Sequence, residues 1–440
     1  MINAAVSLST TRCAALYVGA LLGPALLLLP GLAAALAGPA SILDWIGLLA
    51  VSGLLARVFV DLGARFASGD GAPTYTAAGL GERAGRAVGW CFLLGVVLGA
   101  PVVCLIGGSY VAALSGGGRE VSVLAAALVL IVVVALTFGG ARAASTAQLA
   151  LVAVLVALVA VAVAGSASAA RAARWTPFAP HGWAALGNAA SVLMLSFVGW
   201  EAIAPLTERL HDPRRQLPRV IGIAFTVTTV VYLALAAATI AVLGAPPVSS
   251  AVPLADLLRV AVGPAGPVIA AVAAVALTLA ATNAYLAGAA ALASRLRAER
   301  PPVTATPVAT TGRTPWWLQL GVAAAGVLLL GGVALGAVTT VQLVVLPTTL
   351  FLTVYLGCTA SAARILRGRV RFAAAAACAA VLSVLAFSGW ALVVPLAIVV
   401  VTCSPRRGEL GRRRSQPSGR TSGSRRRDGV AEGGDLRCEP

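Results

Sequence analysis

The stretch SFVGWEAIAPL, residues 196–206, sets a glutamate, Glu201, in an otherwise apolar run, between Gly199 and Pro205. A carboxylate at that depth could carry a coupling proton, accept N–H groups from a distorted backbone, or pair with an arginine near the cytoplasmic end. An ionised carboxylate at a bilayer centre costs on the order of 2.5–3.5 kcal/mol by insertion scales, so it has such a use or is protonated. A second unusual stretch, GALLGPALLLLPG, residues 19–31, carries Gly23 and Pro24 in mid-run. Proline removes a backbone donor and clashes with the preceding turn, at about 3 kcal/mol in a helix interior. Glycine loosens the same place further. In lipid each freed N–H and C=O must find a partner, so an interrupted helix belongs where it lines a cavity or is sealed by neighbours.

The elements that must position these residues follow from composition. The chain has 440 residues, 59% of them hydrophobic and only 11% charged, with mean hydropathy +0.94. Ordinary soluble domains carry about 25% charged residues. We therefore expect an all-α polytopic membrane protein of about twelve spanning helices. The expected limits are 13–37, 42–65, 88–114, 121–138, 145–164, 185–207, 218–243, 264–292, 317–335, 339–361, 372–387 and 389–403. The first run resembles a signal peptide in outline, but its length is that of an uncleaved spanning helix.

Net charge is +17 and every basic residue is arginine. That balance reads as topology rather than nucleic-acid binding, because arginine gathers on the cytoplasmic side. With the N-terminus inside, the inner segments up to residue 403 hold seventeen arginines and the outer ones four, Arg119, Arg171, Arg174 and Arg259. Both termini are then cytoplasmic, and the protein sits in the cell membrane. Residues 404–440, rich in Arg, Gly, Ser and Pro, read as a disordered basic tail. The seven cysteines have no metal or redox spacing and read as small core residues. No metal site and no cofactor are expected.

The interruptions fall in spans one and six, five helices apart. This spacing predicts a 5+5 inverted-repeat core: 1–164 as the first repeat, 185–361 as the second, and 372–403 as two additional helices. The half-helix N-termini would offer N–H groups and positive dipole ends to an anion. The half-helix C-termini would offer carbonyls to a cation. A free amino acid carries one group of each kind.

These two stretches, with the continuation SFVGWEAIAPLTERLHDPRRQLPRVI, resemble the amino acid–polyamine–organocation (APC) superfamily. Asp212, Pro213, Arg214, Leu217, Pro218 and Arg219 fit its loop pattern closely. Within it, GWCFLLGVVLGAPVVCLIGGSYV (89–111) and VYLGCTASAARILRGRVRF (354–372) resemble small bacterial exporters of methionine and branched-chain amino acids. The resemblance covers about residues 1–400 and implies a LeuT-like fold. It also implies that the Gly19–Ala25 segment, with Gly19, Ala20, Gly23 and Ala25, binds a substrate carboxylate through backbone N–H groups. Phe197, Gly199 and Trp200 would offer carbonyls to the ammonium, and Cys104, Gly108, Thr282, Asn283 and Tyr285 would line the remainder. One position departs: the family usually has Gly-[Ser/Thr]-Gly where this chain has Gly23-Pro24-Ala25, so one N–H is missing.

Glu201 is expected to couple or gate, with Glu208, Asp212 and Arg215 of the loop ERLHDPRRQLPRV (208–220) re-pairing as one half rocks against the other. A proton is the candidate coupling ion, with Glu201 as its carrier, beside the reading in which Glu201 holds the distorted backbone. Sodium would need hydroxyls at two sites, and Ser145, Thr146, Thr339 and Thr340 lie too near helix ends. Arg57 and Asp61, one turn apart, should pair near the inner surface.

The leading expectation is a secondary active transporter of neutral, hydrophobic amino acids, favouring efflux and working by alternating access as a monomer or weak oligomer. The alternatives are a transporter importing another small amine or organic cation, and a membrane protein that does not transport. An enzyme would need clustered His, Asp or Cys at one membrane face, a receptor an attached soluble domain, and a channel a repeated filter. The sequence has none of these.

Overall fold

The computed structural model describes residues 9–66, 71–138, 145–202, 210–244, 251–297 and 314–404. Every regular element among them is helical. In chain order these are α1 (Thr10–Leu21), α2 (Ala25–Ala37), α3 (Ser41–Arg65), α4 (Ala72–Leu80) and α5 (Glu82–Ser115). Next come α6 (Arg119–Phe138), α7 (Ser145–Gly165), α8 (Ala185–Leu193), α9 (Pro213–Ala238) and α10 (Pro253–Val262). The remainder are α11 (Ala265–Arg297), α12 (Trp316–Ala334), α13 (Thr340–Ile365), α14 (Arg369–Ala386) and α15 (Val393–Cys403). Residues Met1–Cys403 form one unit and Ser404–Pro440 another, and residues 405–440 lie outside the described set.

Local chemistry sets where these helices start. The Ser9 hydroxyl accepts the Arg12 amide at 3.3 Å and opens α1. Asp212 does the same for Arg215 at 3.3 Å, with Pro213 in the first turn of α9, where its missing N–H is harmless. Thr339 and Gln342 form a reciprocal capping box at the start of α13, so the Thr339 hydroxyl serves the backbone. Arg57 and Asp61 form an ion pair at 3.3 Å, as their spacing predicts.

Among the described residues, nine helical runs are long and apolar enough to cross a membrane. The count differs from twelve for structural reasons. α2 and α3 follow each other through one short turn and make a single run, Ala25–Arg65, while the apolar helices Ala185–Phe197 and Gly389–Cys403 are short. Two helices, α4 and α10, lie between expected spans. α4 is tied to α13, whose Ser361 hydroxyl donates to Tyr75 O at 2.5 Å.

Burial sorts the helices. The runs containing α2, α3, α5 and α13 are mostly buried, whereas α7 and α14 are the least buried of the spans. Large apolar side chains such as Leu128, Ile131, Val327, Leu328 and Val401 face outward, an arrangement suited to lipid and costly in water. At the centre, Trp45, Phe197 and Tyr232 pack with ring centroids 5.2–6.0 Å apart.

Candidate functional site

The first interruption is the gap between α1 and α2. The Leu22 N–H still reaches Val18 O at 2.7 Å, but the Gly23 N–H turns back on Leu21 O at 2.9 Å. Pro24 has no N–H to continue the ladder. α2 restarts with tightened bonds, Leu26 N–H to Gly23 O at 3.2 Å and Leu27 N–H to Pro24 O at 2.9 Å. The Ala25 N–H has no acceptor among the described residues.

The second interruption follows α8. The helix tightens into a 3₁₀ turn over Met194–Phe197, Val198 is extended, and Gly199 takes φ +141° before another 3₁₀ turn at Trp200–Ala202. A Cβ at Gly199 would lie 2.7 Å from Ala20 O, so the two interruptions touch directly, with no side chain between them.

Tyrosines from three other elements hold the opened backbone. The Tyr17 hydroxyl donates to Trp200 O at 3.1 Å. That of Tyr232 bridges Leu21 O (2.8 Å) and Ser196 O (2.6 Å). That of Tyr355 lies 3.1 Å from Phe197 O and 2.6 Å from Glu201 Oε2. The Gly199 N–H points at both Glu201 Oε2 and the Tyr355 oxygen, each at 3.0 Å. Glu201, 7% exposed, thus accepts from its own break through Oε2, while Oε1 has no partner among the described residues.

Both interruptions line one cavity of about 70 Å³, room for several water molecules. Its remaining walls come from α5 (Gly95, Gly99, Val103), α11 (Thr282, Tyr285) and α13 (Phe351). Two hydroxyl oxygens on it, Ser196 Oγ and Thr282 Oγ1, are buried without a hydrogen-bond partner among the described residues. Thr282 sits beside the Cys104 thiol without hydrogen-bond geometry. No charged side chain lines the cavity among the described residues.

The expected site residues divide accordingly. Ala20, Gly23, Ala25 and Tyr285 line the cavity. Phe197, Gly199 and Trp200 lie in the second interruption outside its lining, and the Trp200 ring is turned to Tyr17 and, through Nε1, to Ser52 at 2.9 Å. Gly19 faces α7, where its Cβ would meet Val152 at 2.8 Å, and Gly108 faces α6, where its Cβ would collide with Ser122 O. Cys104 and Asn283 are buried outside the lining. Asp212 and Arg215 pair with each other at 3.6 Å in one exposed helical turn, a contact worth roughly 0–1 kcal/mol. Glu208 and Pro205 lie outside the described residues.

Sequence reading missed Ser196, Phe351 and the tyrosine fastenings. A signal was available: the chain has only six tyrosines, and a hydroxyl inside an aliphatic run must find an acceptor. Four of them, Tyr17, Tyr110, Tyr232 and Tyr355, donate to carbonyls of the interrupted segments.

Comparison with known proteins gives a consistent picture. A family model described as amino acid permease matches residues 8–412. The uncharacterized amino acid permease YecA of Bacillus subtilis is 30% identical over 396 residues, 88% of this chain and 92% of that protein. The L-methionine/branched-chain amino acid exporter YjeH of Escherichia coli is 29% identical over 215 residues, 48% of this chain and 51% of the exporter. The branched-chain amino acid permease BcaP of Bacillus subtilis is 24% identical over 245 residues, about half of each chain.

Proposed function

Since the chain belongs to the amino acid permease family, whose activity is amino acid transport across a membrane, we propose that it is a secondary transporter of neutral, hydrophobic amino acids. The observation that carries this reading is the cavity between the two interruptions, apolar on most sides and free of charged side chains among the described residues. A cationic or acidic substrate side chain would meet no counter-charge there and would lose its hydration. The similarity to an exporter of methionine and branched-chain amino acids supports efflux as the favoured direction. Alternating access follows from rocking of the two inverted halves, 1–164 and 185–361, about the touching interruptions, with both termini in the cytoplasm. The amide of Ala25, without an acceptor among the described residues and at the start of α2 on the cavity wall, receives the substrate carboxylate. The carbonyls of the second interruption receive the ammonium through lone pairs that the tyrosines leave open.

Counterflow in proteoliposomes loaded with one labelled amino acid at a time tests this. Leucine, isoleucine, valine and methionine are expected to accumulate, and lysine, arginine and glutamate to stay at background. Accumulation of none of the twenty, or of the charged ones alone, contradicts the assignment.

The proposed coupling ion is a proton, taken up by Glu201 at Oε1, the oxygen without a partner among the described residues. Glu201→Gln keeps an acceptor for the Gly199 amide but cannot exchange a proton. Its transport is expected to lose its response to an imposed pH gradient while exchange at equal pH persists. Retention of the full pH response removes the proton from that carboxyl.

A further inference from the structure

A helix N-terminus holds an anion through several convergent amides, yet α2 offers very few. Gly23, Leu26 and Leu27 turn their N–H groups onto backbone carbonyls, Pro24 has none, and Ala25 alone remains. A carboxylate has two oxygens and about four lone-pair sites, so a single amide leaves it poorly held once it is out of water. The same cavity carries a second donor. Ser196 is 3% exposed, lines the cavity, and its Oγ has no partner among the described residues. Its position is fixed: the Tyr232 hydroxyl joins Ser196 O to Leu21 O, at the last residue of α1 before the gap. Buried hydroxyls are nearly always hydrogen-bonded, and one left open on a cavity wall is poised for whatever enters.

We propose that the Ser196 hydroxyl donates to the substrate carboxylate beside the Ala25 amide, standing in for the N–H that Pro24 lacks. The assignment rests on the reading of the cavity as an amino acid site. It makes Ser196 a residue that selects for the carboxylate, not for the side chain. Thr282 of α11, whose hydroxyl is also open on the cavity, sits beside Cys104 and is assigned no such role.

Competition against labelled leucine by unlabelled leucine and by leucinamide, which lacks the anionic group, tests the assignment in proteoliposomes. A hydrogen bond to a charged group supports a change of roughly 10- to 100-fold. The wild-type protein is expected to favour leucine over leucinamide, and Ser196→Ala to shrink that ratio about 10-fold or more. Ser196→Thr, which keeps a hydroxyl, should preserve most of it. A general packing defect would weaken both competitors alike and leave the ratio unchanged. Should Ser196→Ala fail to accumulate in the membrane, Ser196→Cys, a weaker donor of similar size, reads the same ratio. An unchanged ratio in Ser196→Ala or Ser196→Cys, or a collapse in Thr282→Val instead, overturns the role of Ser196 and leaves the function standing. If wild-type liposomes exchange no amino acid at all, function and assignment fall together.

Discussion

Replacing Gly199 by alanine is expected to reduce transport at least about 100-fold at matched membrane levels, the largest effect of any single methyl group in this protein. Two independent causes act at one atom. The backbone sits at φ +141°, which L side chains rarely adopt. Strain of this kind costs on the order of 1–3 kcal/mol by itself. The added Cβ would also lie 2.7 Å from Ala20 O and 3.2 Å from the Ala20 carbonyl carbon. That neighbour is backbone, so it cannot swing away as a long side chain would. Relief requires the two interruptions to separate, which changes the cavity itself. Counterflow and thermal unfolding in detergent, measured on the same preparation, check the expectation. An alanine variant with normal exchange and an unchanged melting temperature would mean that the interruptions do not meet as described.

Tyr355→Phe is expected to have the second-largest effect, a loss of roughly 10- to 100-fold in transport with a fall in melting temperature. One hydroxyl serves three groups: it receives the Gly199 amide, and it lies within donating distance of Glu201 Oε2 and Phe197 O. Phenylalanine keeps the ring contact with Phe59 at 5.9 Å and removes only the oxygen. Two buried acceptors then share fewer donors, at about 1–3 kcal/mol for each group left unsatisfied and more when it is charged. A double-mutant cycle with Glu201→Gln measures the coupling, and residues in one network should give about 0.5–3 kcal/mol. Strict additivity of the two losses would show that Tyr355 and Glu201 act separately. Tyr110→Phe is a useful comparison, because the Tyr110 hydroxyl meets only Leu27 O, at 2.8 Å, within the regular part of α2.

The interruptions were legible in the sequence because their causes are local. Proline lacks a donor and glycine tolerates unusual φ wherever they stand, so Gly23-Pro24 and Gly199 announce a broken ladder without knowledge of the neighbours. The helical runs were legible for a similar reason, since apolar length is a property of the segment alone. Which face of a helix meets the cavity was not legible. α5 carries glycines at positions 95, 99 and 108 in a run with few polar residues to set its rotation. Gly95 and Gly99 turn out to line the cavity, and Gly108 is pressed on α6. Gly19 likewise lies in the interrupted span, and the side where a Cβ would stand faces α7. The partners of the freed carbonyls were hidden more deeply. Tyr232 and Tyr355 lie 36 and 158 residues from the carbonyls they reach on the second interruption, and no pattern within either helix foretells that meeting. The short helices α4 and α10 fall between apolar runs, where α4 is fixed by its contact with Ser361 and not by length.

The Tyr232 hydroxyl has a single hydrogen and faces two carbonyls, one on each broken segment. While Leu21 and Ser196 stay together, that hydrogen is shared and both oxygens are served. Any motion that draws them apart must abandon one of them. The arrangement therefore behaves as a latch that favours its own closed position, and a conformation that parts the segments needs a replacement donor at the deserted oxygen. Any donor that enters between the segments, a water molecule included, can serve the deserted oxygen.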